Sequence, residues 1–169
     1  SVFSRVHKKY DLMNDIMSLG VHRIWKNKLI DWINPQLNQN LIDVASGTGD
    51  IAKLFSKKNN NSTQITCVEP NDEMRSAGKS NLESFKNIKW HKAKAEKLPF
   101  KNDTYDFYTI SYGIRNVSDI NLSLKEALRV LKPGGRFMCL EFSKIDNEMI
   151  NLIYQKYSKI IPFVGKYIV

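Results

Sequence analysis

The sequence of 169 residues contains little cysteine and no long apolar run, and these absences exclude several classes of protein. Its two cysteines, Cys67 and Cys139, lie in apolar runs typical of buried strands and lack the spacing of a metal or disulfide site. No segment of about 18 apolar residues is present, and the first residues lack the charged and then apolar pattern of a signal peptide. The sequence therefore predicts no metal centre, no disulfide framework, no membrane-spanning helix and no secretory leader.

Acidic residues are outnumbered by basic ones, 17 against 26, which gives a formal net charge of +9. Such an excess suits nucleic-acid phosphates or an anionic membrane surface, and it equally suits a solvated, lysine-rich surface. The densest basic run, residues 86–97, carries only Trp90 as an aromatic platform on which a base could stack. We therefore expect no specific nucleic-acid partner, and peripheral contact with a membrane stays a hypothesis.

Hydrophobic residues make up 42% of the chain, enough at this length for one globular core. Apolar and β-branched segments predict strands, and segments that open with aspartate predict helices between them. The strands are predicted at residues 41–45, 64–68, 88–91, 105–111 and 136–142, and the helices at 50–57, 72–84 and 119–131. This alternation is typical of an α/β, Rossmann-like fold with a mostly parallel sheet and helices on both faces.

Turn-forming residues and apolar periodicity divide the chain into three parts. The parts are an N-terminal helical segment on the substrate side (1–36), a core (37–145) and a C-terminal helix (146–169). In the first part, Trp25, Leu29, Trp32 and Ile33 recur at helical spacing, so we expect this face to pack against the sheet.

The most informative segment reads DVASGTGD and lies where the first predicted strand ends and the first helix begins. Ligands of open α/β sheets bind at this place, and Gly47 and Gly49 have no Cβ to block an approach to the backbone. A nicotinamide dinucleotide would put a pyrophosphate beside Asp43 and Asp50, which would repel it. S-adenosylmethionine (SAM) has cationic sulfonium and amino groups instead, so the carboxylates favour SAM. The cofactor residues predicted in this segment are Asp43, Ser46, Gly47, Thr48, Gly49 and Asp50.

A second acidic position follows the next predicted strand. Glu69, followed by Pro70, stands about twenty residues after the glycines, where a carboxylate accepts hydrogen bonds from ribose hydroxyls. The alternative is that Glu69 only caps the following helix. Lys94, Ala95 and Glu96 follow the third strand, and we expect this loop to reach the adenine.

Three segments resemble the ubiquinone/menaquinone biosynthesis C-methyltransferases of the UbiE type, a family of class I SAM-dependent methyltransferases. They are YDLMNDIMSLGVHRIW at residues 10–25, SYGIRNV at 111–117, and RVLKPGGR with the following LEFS at 129–143. Ser46 and Lys94 depart from this family's pattern, which commonly has glycine and asparagine there. The resemblance implies SAM contacts at Thr48, Glu69, Lys94, Ala95 and Ser111. It also implies methyl transfer from SAM to a ring carbon of a polyprenylated benzoquinol or naphthoquinol, a lipid substrate.

Methylation of an aromatic carbon needs electron density that a deprotonated ring hydroxyl supplies, so the enzyme must stabilise a phenolate. We assign this stabilisation to Arg115, with the alternative that Arg115 orients a water molecule that takes the proton. Asn116 is expected to hold the other hydroxyl. Tyr10 and His22 are expected to close over the substrate, with His22 either a proton acceptor or a packing residue. Glu141 is expected to have a structural role.

The family fold has a seven-stranded sheet, and its last two strands are expected to be absent from this chain. A bare sheet edge recruits another chain, so a homodimer is a further hypothesis. The expected location is the cytoplasm, at the inner face of a bacterial membrane, or the mitochondrial matrix in a eukaryote. Two alternatives stay open, namely a methyltransferase acting on another substrate such as RNA, and a non-catalytic SAM-fold subunit of a quinone-biosynthesis complex.

Overall fold

The computed structural model describes residues 20–142, which form a five-stranded sheet with the order β3-β2-β1-β4-β5. The strands are β1 (Leu41–Val44), β2 (Ile65–Val68), β3 (Ile88–His91), β4 (Tyr105–Ser111) and β5 (Leu131–Leu140). The helices are α1 (Val21–Ile33), α2 (Asp50–Lys58), α3 (Asp72–Asn81) and α4 (Ile120–Val130), with a 3-10 turn at Ile114–Asn116. All four strand pairs are parallel, which confirms the predicted α/β fold.

The strand order creates a switch point between β1 and β4. From β1 the chain moves outward to β2 and β3, and it then returns to add β4 and β5 on the other side. The connections on the two sides of this point leave in opposite directions, so a crevice opens at the carboxyl ends of β1 and β4.

Two apolar clusters cover the two faces of the sheet. On one face, Leu41 and Ile65 pack with Ile33 of α1 and Phe55 of α2. On the other face, Ile42, Val44 and Ile110 pack with Ala127 and Val130 of α4. Because successive strand residues point to opposite faces, β1 contributes to both clusters and all four of its residues are buried.

The apolar face predicted for the N-terminal helix is partly wrong. Leu29 and Ile33 pack against the sheet as expected, and Ile30 joins them. Trp32 is 72% exposed and lies on the outer side of α1, whereas Trp25 is 40% exposed and packs only edge to face against Phe142, after the end of β5. The helix has more apolar residues than its contact with the sheet and α2 can bury, so the neighbouring elements determine which of them are covered.

The last strand begins earlier than predicted. Its first residue, Leu131, pairs with Tyr105, and the register then shifts so that Arg136 pairs with Phe107. This irregularity accommodates Pro133 and two glycines within the strand, which the sequence pattern placed before it. Cys139 on this strand is exposed, contrary to expectation, whereas Cys67 is buried.

Two predicted features lie outside the described residues, namely Tyr10 and the C-terminal helix within 146–169. Within residues 20–142, no helix is long and apolar enough to cross a membrane.

Candidate functional site

A cavity of about 300 Å³ opens at the switch point of the sheet, at the carboxyl ends of β1, β2 and β4. Most of the predicted cofactor residues line it. They are Asp43, Ser46, Gly47, Thr48, Asp50, Glu69, Pro70, Lys94, Ala95, Glu96 and Ser111, and the predicted substrate residue Asn116 joins them. Four separate segments of the sequence therefore converge on one cavity, as strands of a parallel sheet allow.

The loop after β1 is tightly wound, and its two glycines are required for different reasons. Gly47 has φ +58°, and a Cβ there would lie 3.3 Å from Met74 Cε. Gly49, with φ +87°, is not among the lining residues, and a Cβ on it would lie 2.6 Å from Leu82 Cδ1 and 3.0 Å from Trp90 Cζ2. Gly49 is therefore required by packing and by its backbone conformation, whereas Gly47 faces the cavity.

Glu69 connects the loop after β1 with the start of α3. Its Oε2 accepts a hydrogen bond from Gly47 N at 2.8 Å, and its Oε1 accepts one from Asn71 N at 2.9 Å. The helix itself is capped by Asn71, whose side chain accepts from Met74 N at 3.0 Å. Glu69 is 5% exposed and lines the cavity. Each carboxylate oxygen has a further lone pair for a ligand hydroxyl, so holding the loop is compatible with binding ribose.

Asp43 is buried at the base of the cavity. Thr109, its neighbour on β4, donates a hydrogen bond from Oγ1 to Asp43 Oδ1 at 2.7 Å, while Oδ2 is buried without a partner. Burial raises the pKa of Asp43 to about 7. The carboxyl group therefore carries only part of a negative charge near neutral pH.

Asp50, the other carboxylate predicted to attract SAM, is neutralised by a residue that the sequence analysis did not select. Lys26 Nζ from α1 lies 2.6 Å from Asp50 Oδ2, and its side chain is 12% exposed. The two carboxylates therefore give the cavity less negative charge than the sequence argument assumed, because Asp50 is paired and the pKa of Asp43 is raised. Lys26 was missed because only the packing of α1 against α2 brings it to the loop.

Serine and glutamate side chains complete the walls. Ser46 Oγ donates to Asp43 O at 2.6 Å, which ties the loop to the end of β1. Glu96 Oε1 accepts from Ser118 N at 2.6 Å and so joins the loop after β3 to the segment before α4. Ser111 Oγ, at the end of β4, is buried without a hydrogen-bond partner. A ligand group is the natural partner for Ser111, because buried polar atoms are otherwise satisfied.

Arg115 lies in the 3-10 turn beside the cavity, but it is not among the lining residues. Its Nη1 is 2.5 Å from Glu141 Oε1, and its guanidinium carbon lies 5.8 Å from the centre of the Tyr112 ring and 5.5 Å from that of Phe142. Tyr112 itself lines the cavity and has a strained φ of +55°. It was missed because its role depends on the ends of β4 and β5 lying together.

His22 does not line the cavity at the switch point. It is 3% exposed and lines an adjoining groove of about 320 Å³ with residues of α1 and α2, and this groove shares Lys26 and Asp50 with the cavity. The structure thus brings Asn116 to the cavity, holds Arg115 next to it and places His22 in the adjoining groove.

The residues of the cavity fit SAM. Glu69 is placed for a ribose diol, Ser111 Oγ and Asp43 Oδ2 are buried polar atoms with unused bonding capacity, and Gly47 leaves room for a close approach. Two lysines are among the described lining residues, and Lys26 is paired with Asp50, so Lys94 alone would face a pyrophosphate.

Comparison with known proteins agrees with this assignment. The model of the ubiE/COQ5 methyltransferase family matches residues 1–169. The protein named ubiquinone/menaquinone biosynthesis C-methyltransferase UbiE from Rickettsia massiliae is 52% identical over 176 aligned positions, which cover 100% of this chain and 71% of that protein.

Solved structures show the same fold at low identity. YcgJ from Bacillus subtilis has a TM-score of 0.67 at 23% identity, covering 80% of this chain and 57% of its own. A SAM-dependent methyltransferase from Aquifex aeolicus has a TM-score of 0.65 at 18% identity, covering 78% of each chain. The fold, the enzyme class and the cofactor predicted from the sequence are thereby confirmed. Since its family model spans every residue, the chain belongs to the ubiE/COQ5 methyltransferase family and is a SAM-dependent methyltransferase.

Proposed function

We propose that this protein methylates a ring carbon of a polyprenylated benzoquinol or naphthoquinol in ubiquinone or menaquinone biosynthesis. Relatives that match 99–100% of the chain are named ubiquinone/menaquinone biosynthesis C-methyltransferases. The observation that carries the proposal is that an arginine, Arg115, lies over the Tyr112 and Phe142 rings at the end of β4, next to the cavity that the predicted cofactor residues line.

The cofactor side of the proposal assigns a role to each wall. Glu69 binds the ribose hydroxyls, Thr48 and Gly47 contact the amino acid part, and Ser111 donates or accepts one hydrogen bond at the end of β4. Lys94, Ala95 and Glu96 border the adenine. When bound, SAM supplies an electrophilic methyl group on a positively charged sulfur.

The acceptor side must raise the electron density of the ring and keep water out. Arg115 stabilises the negative charge of the deprotonated hydroxyl, because a guanidinium stays protonated and keeps its charge. Asn116, which lines the cavity, holds the second hydroxyl. Tyr10 and His22 stay predicted substrate-side residues, and for His22 the burial between α1 and α2 supports packing over proton transfer.

Three finer features belong to the same proposal. A polyprenyl tail stays in a bilayer while its head group reacts, so the enzyme works at the membrane surface, where its net charge of +9 favours anionic lipid. The compartment is the bacterial cytoplasm at the inner membrane face or, in a eukaryote, the mitochondrial matrix. A homodimer formed through the sheet edge completes the proposal.

The test is a transfer assay with SAM that carries a radiolabelled methyl group. The full chain is incubated with a short-chain benzoquinol or naphthoquinol, and we expect label in the organic phase. RNA is the matched alternative acceptor, and label in RNA alone would contradict the proposal. An intact SAM affinity with no labelled product from any acceptor would instead identify a non-catalytic subunit.

A further inference from the structure

Unsatisfied polar atoms are concentrated at one edge of the sheet. Within residues 20–142, four buried side-chain atoms have no hydrogen-bond partner: Asp43 Oδ2, Ser111 Oγ, Tyr112 Oη and Glu141 Oε2. All four lie at the carboxyl ends of β1, β4 and β5, and an unsatisfied buried polar atom destabilises the fold unless a ligand supplies its partner. Asp43 and Ser111 border the cofactor side, which leaves Tyr112 and Glu141 without an assigned role.

Tyr112 and Glu141 belong to one compact group with Arg115 and Phe142, which we call the β4–β5 subsite. Tyr112 N donates to Leu140 O at 2.7 Å, so the ends of the two strands are tied together. The Tyr112 and Phe142 rings have their centres 4.9 Å apart, and the Arg115 guanidinium lies over both. Trp25 from α1 meets Phe142 edge to face at 6.0 Å and closes one side.

The subsite has one unused hydrogen-bond acceptor, on Glu141, and one unused donor, on Tyr112. Glu141 uses Oε1 for Arg115 at 2.5 Å and for Phe142 N at 3.0 Å, while Oε2 has only acceptor capacity and no donor. Tyr112 is 5% exposed, and burial, together with the charge of Glu141, raises the pKa of its hydroxyl to about 12. The hydroxyl is therefore protonated at neutral pH and available as a donor.

We propose that Tyr112, Arg115 and Glu141 form the binding site for the hydroxylated aromatic ring of the methyl acceptor, with Glu141 Oε2 accepting the hydrogen of a ring hydroxyl. This inference rests on the proposed function and replaces the structural role expected for Glu141. The ligand class is a planar dihydroxyarene, because it offers a hydroxyl donor to Glu141, an oxygen acceptor to Tyr112 and Arg115, and a π-face to the aromatic side chains.

The experiment measures binding, separately from turnover. The full chain, saturated with S-adenosylhomocysteine, is titrated anaerobically with 1,4-dihydroxynaphthalene and with 1,4-dimethoxynaphthalene, which has the same ring but no donor. We expect the dihydroxy probe to bind at least tenfold more tightly, and Glu141→Gln to weaken it about tenfold, with the affinity for S-adenosylhomocysteine unchanged. Glu126→Gln is the matched control. Glu126 also pairs with an arginine, Arg129, at a distance of 2.6 Å, but it does not line the cavity.

Equal binding of the dihydroxy probe to Glu141→Gln and to the unmodified chain overturns the subsite, as does equal binding of the two probes. If Glu141→Gln does not fold, Tyr112→Phe removes a single hydroxyl, and we then expect a loss of about threefold or more. Label transfer to a quinol without probe discrimination would overturn the subsite and keep the proposed function. Tighter binding of the dihydroxy probe without label transfer would support the subsite as a dihydroxyarene site and contradict the proposed methyl transfer.

Discussion

Each end of the sheet has an arginine–glutamate pair, but the two pairs differ in how fully their hydrogen-bonding groups are used. At the amino end, Arg129 donates to Glu126, to Phe100 O at 2.7 Å and to Leu98 O at 3.0 Å. At the carboxyl end, the comparable pair of Arg115 and Glu141 leaves one carboxylate oxygen buried without a partner. The amino end thus uses its polar groups for stability.

Positive φ angles divide the two ends by residue type. Ala45 and Tyr112, at the carboxyl ends of the adjacent strands β1 and β4, have φ values of +53° and +55°. The other described non-glycine residues with positive φ are asparagine or aspartate, which adopt this conformation more readily: Asn34, Asn38, Asn60, Asn61 and Asp103. A Cβ on Gly113 would lie 2.5 Å from Ala45 Cβ, so the loops after β1 and β4 also approach each other closely. The more strained backbone therefore lies at the ends of β1 and β4, beside the cavity.

The largest expected effect concerns the charge of Asp43 at the carboxyl end. Burial raises its pKa from 3.8 to about 7, so the folded state keeps a proton that the unfolded chain releases between these values. The contribution of Asp43 to folding stability should therefore fall as the pH rises from about 4 to about 7, by on the order of 4 kcal/mol. Asp72, Glu96 and Glu126, whose pKa values are lowered, act in the opposite direction, so the effect of Asp43 is measured as the difference from a variant that lacks it. Asp43→Asn keeps the acceptor for Thr109 but cannot ionise, so this pH dependence should disappear.

Urea unfolding of both proteins at pH 4.5 and pH 8 measures the difference. Asp103→Asn, at an exposed position, is the control and should follow the unmodified chain. Parallel pH profiles for Asp43→Asn and the unmodified chain would show that the buried carboxyl group has no such effect.

The next effect concerns Glu69, at the carboxyl end of β2, and it tests whether this residue binds the cofactor or only holds the loop after β1. Glu69→Ala should lower the affinity for SAM about 100-fold, since it removes a ribose acceptor and the partner of Gly47 N. Calorimetric titration with SAM measures this loss, with Glu73→Ala on the exposed side of α3 as the control. Circular dichroism establishes that Glu69→Ala is folded, and an unchanged SAM affinity would disprove its role.

The two arginines test the comparison directly. Arg129→Ala should reduce the free energy of unfolding by about 2 kcal/mol because it breaks several charged hydrogen bonds, and it should leave SAM affinity unchanged. Arg115→Ala should abolish turnover while SAM affinity is retained. Urea unfolding and label transfer on both variants measure the two quantities. A larger loss of stability in Arg115→Ala than in Arg129→Ala would remove the distinction between the ends.

The smallest effect is expected on α1. Trp32→Ala should change the free energy of unfolding by no more than about 0.5 kcal/mol, because the side chain is 72% exposed. Ile33→Ala, one position further and fully buried, should cost about 3 kcal/mol. Thermal unfolding of the two variants measures both changes. A similar loss of stability in both would show that Trp32 packs against the sheet, as the sequence pattern predicted.

Local patterns were sufficient to predict most elements and many of the residues that line the cavity. The strand at 105–111 was predicted to the residue, and Asp119 does cap α4 through Leu122 N at 2.9 Å. Glu69 was found because twenty residues separate it from the glycines. Tyr112 and Lys26 could not be found in this way, because their neighbours lie on elements far along the chain.

The alternation of strands and helices, the glycine loop at the end of the first strand and the family resemblance could all be read from the amino-acid order. These properties depend on spacing within short segments, where apolar period and backbone freedom act locally. Three properties became visible only in the folded chain: which face of α1 is buried, the pairing of Lys26 with Asp50, and the unused oxygen of Glu141. Burial and charge pairing depend on distances between segments, and those distances exist only after the sheet has brought the strand ends together.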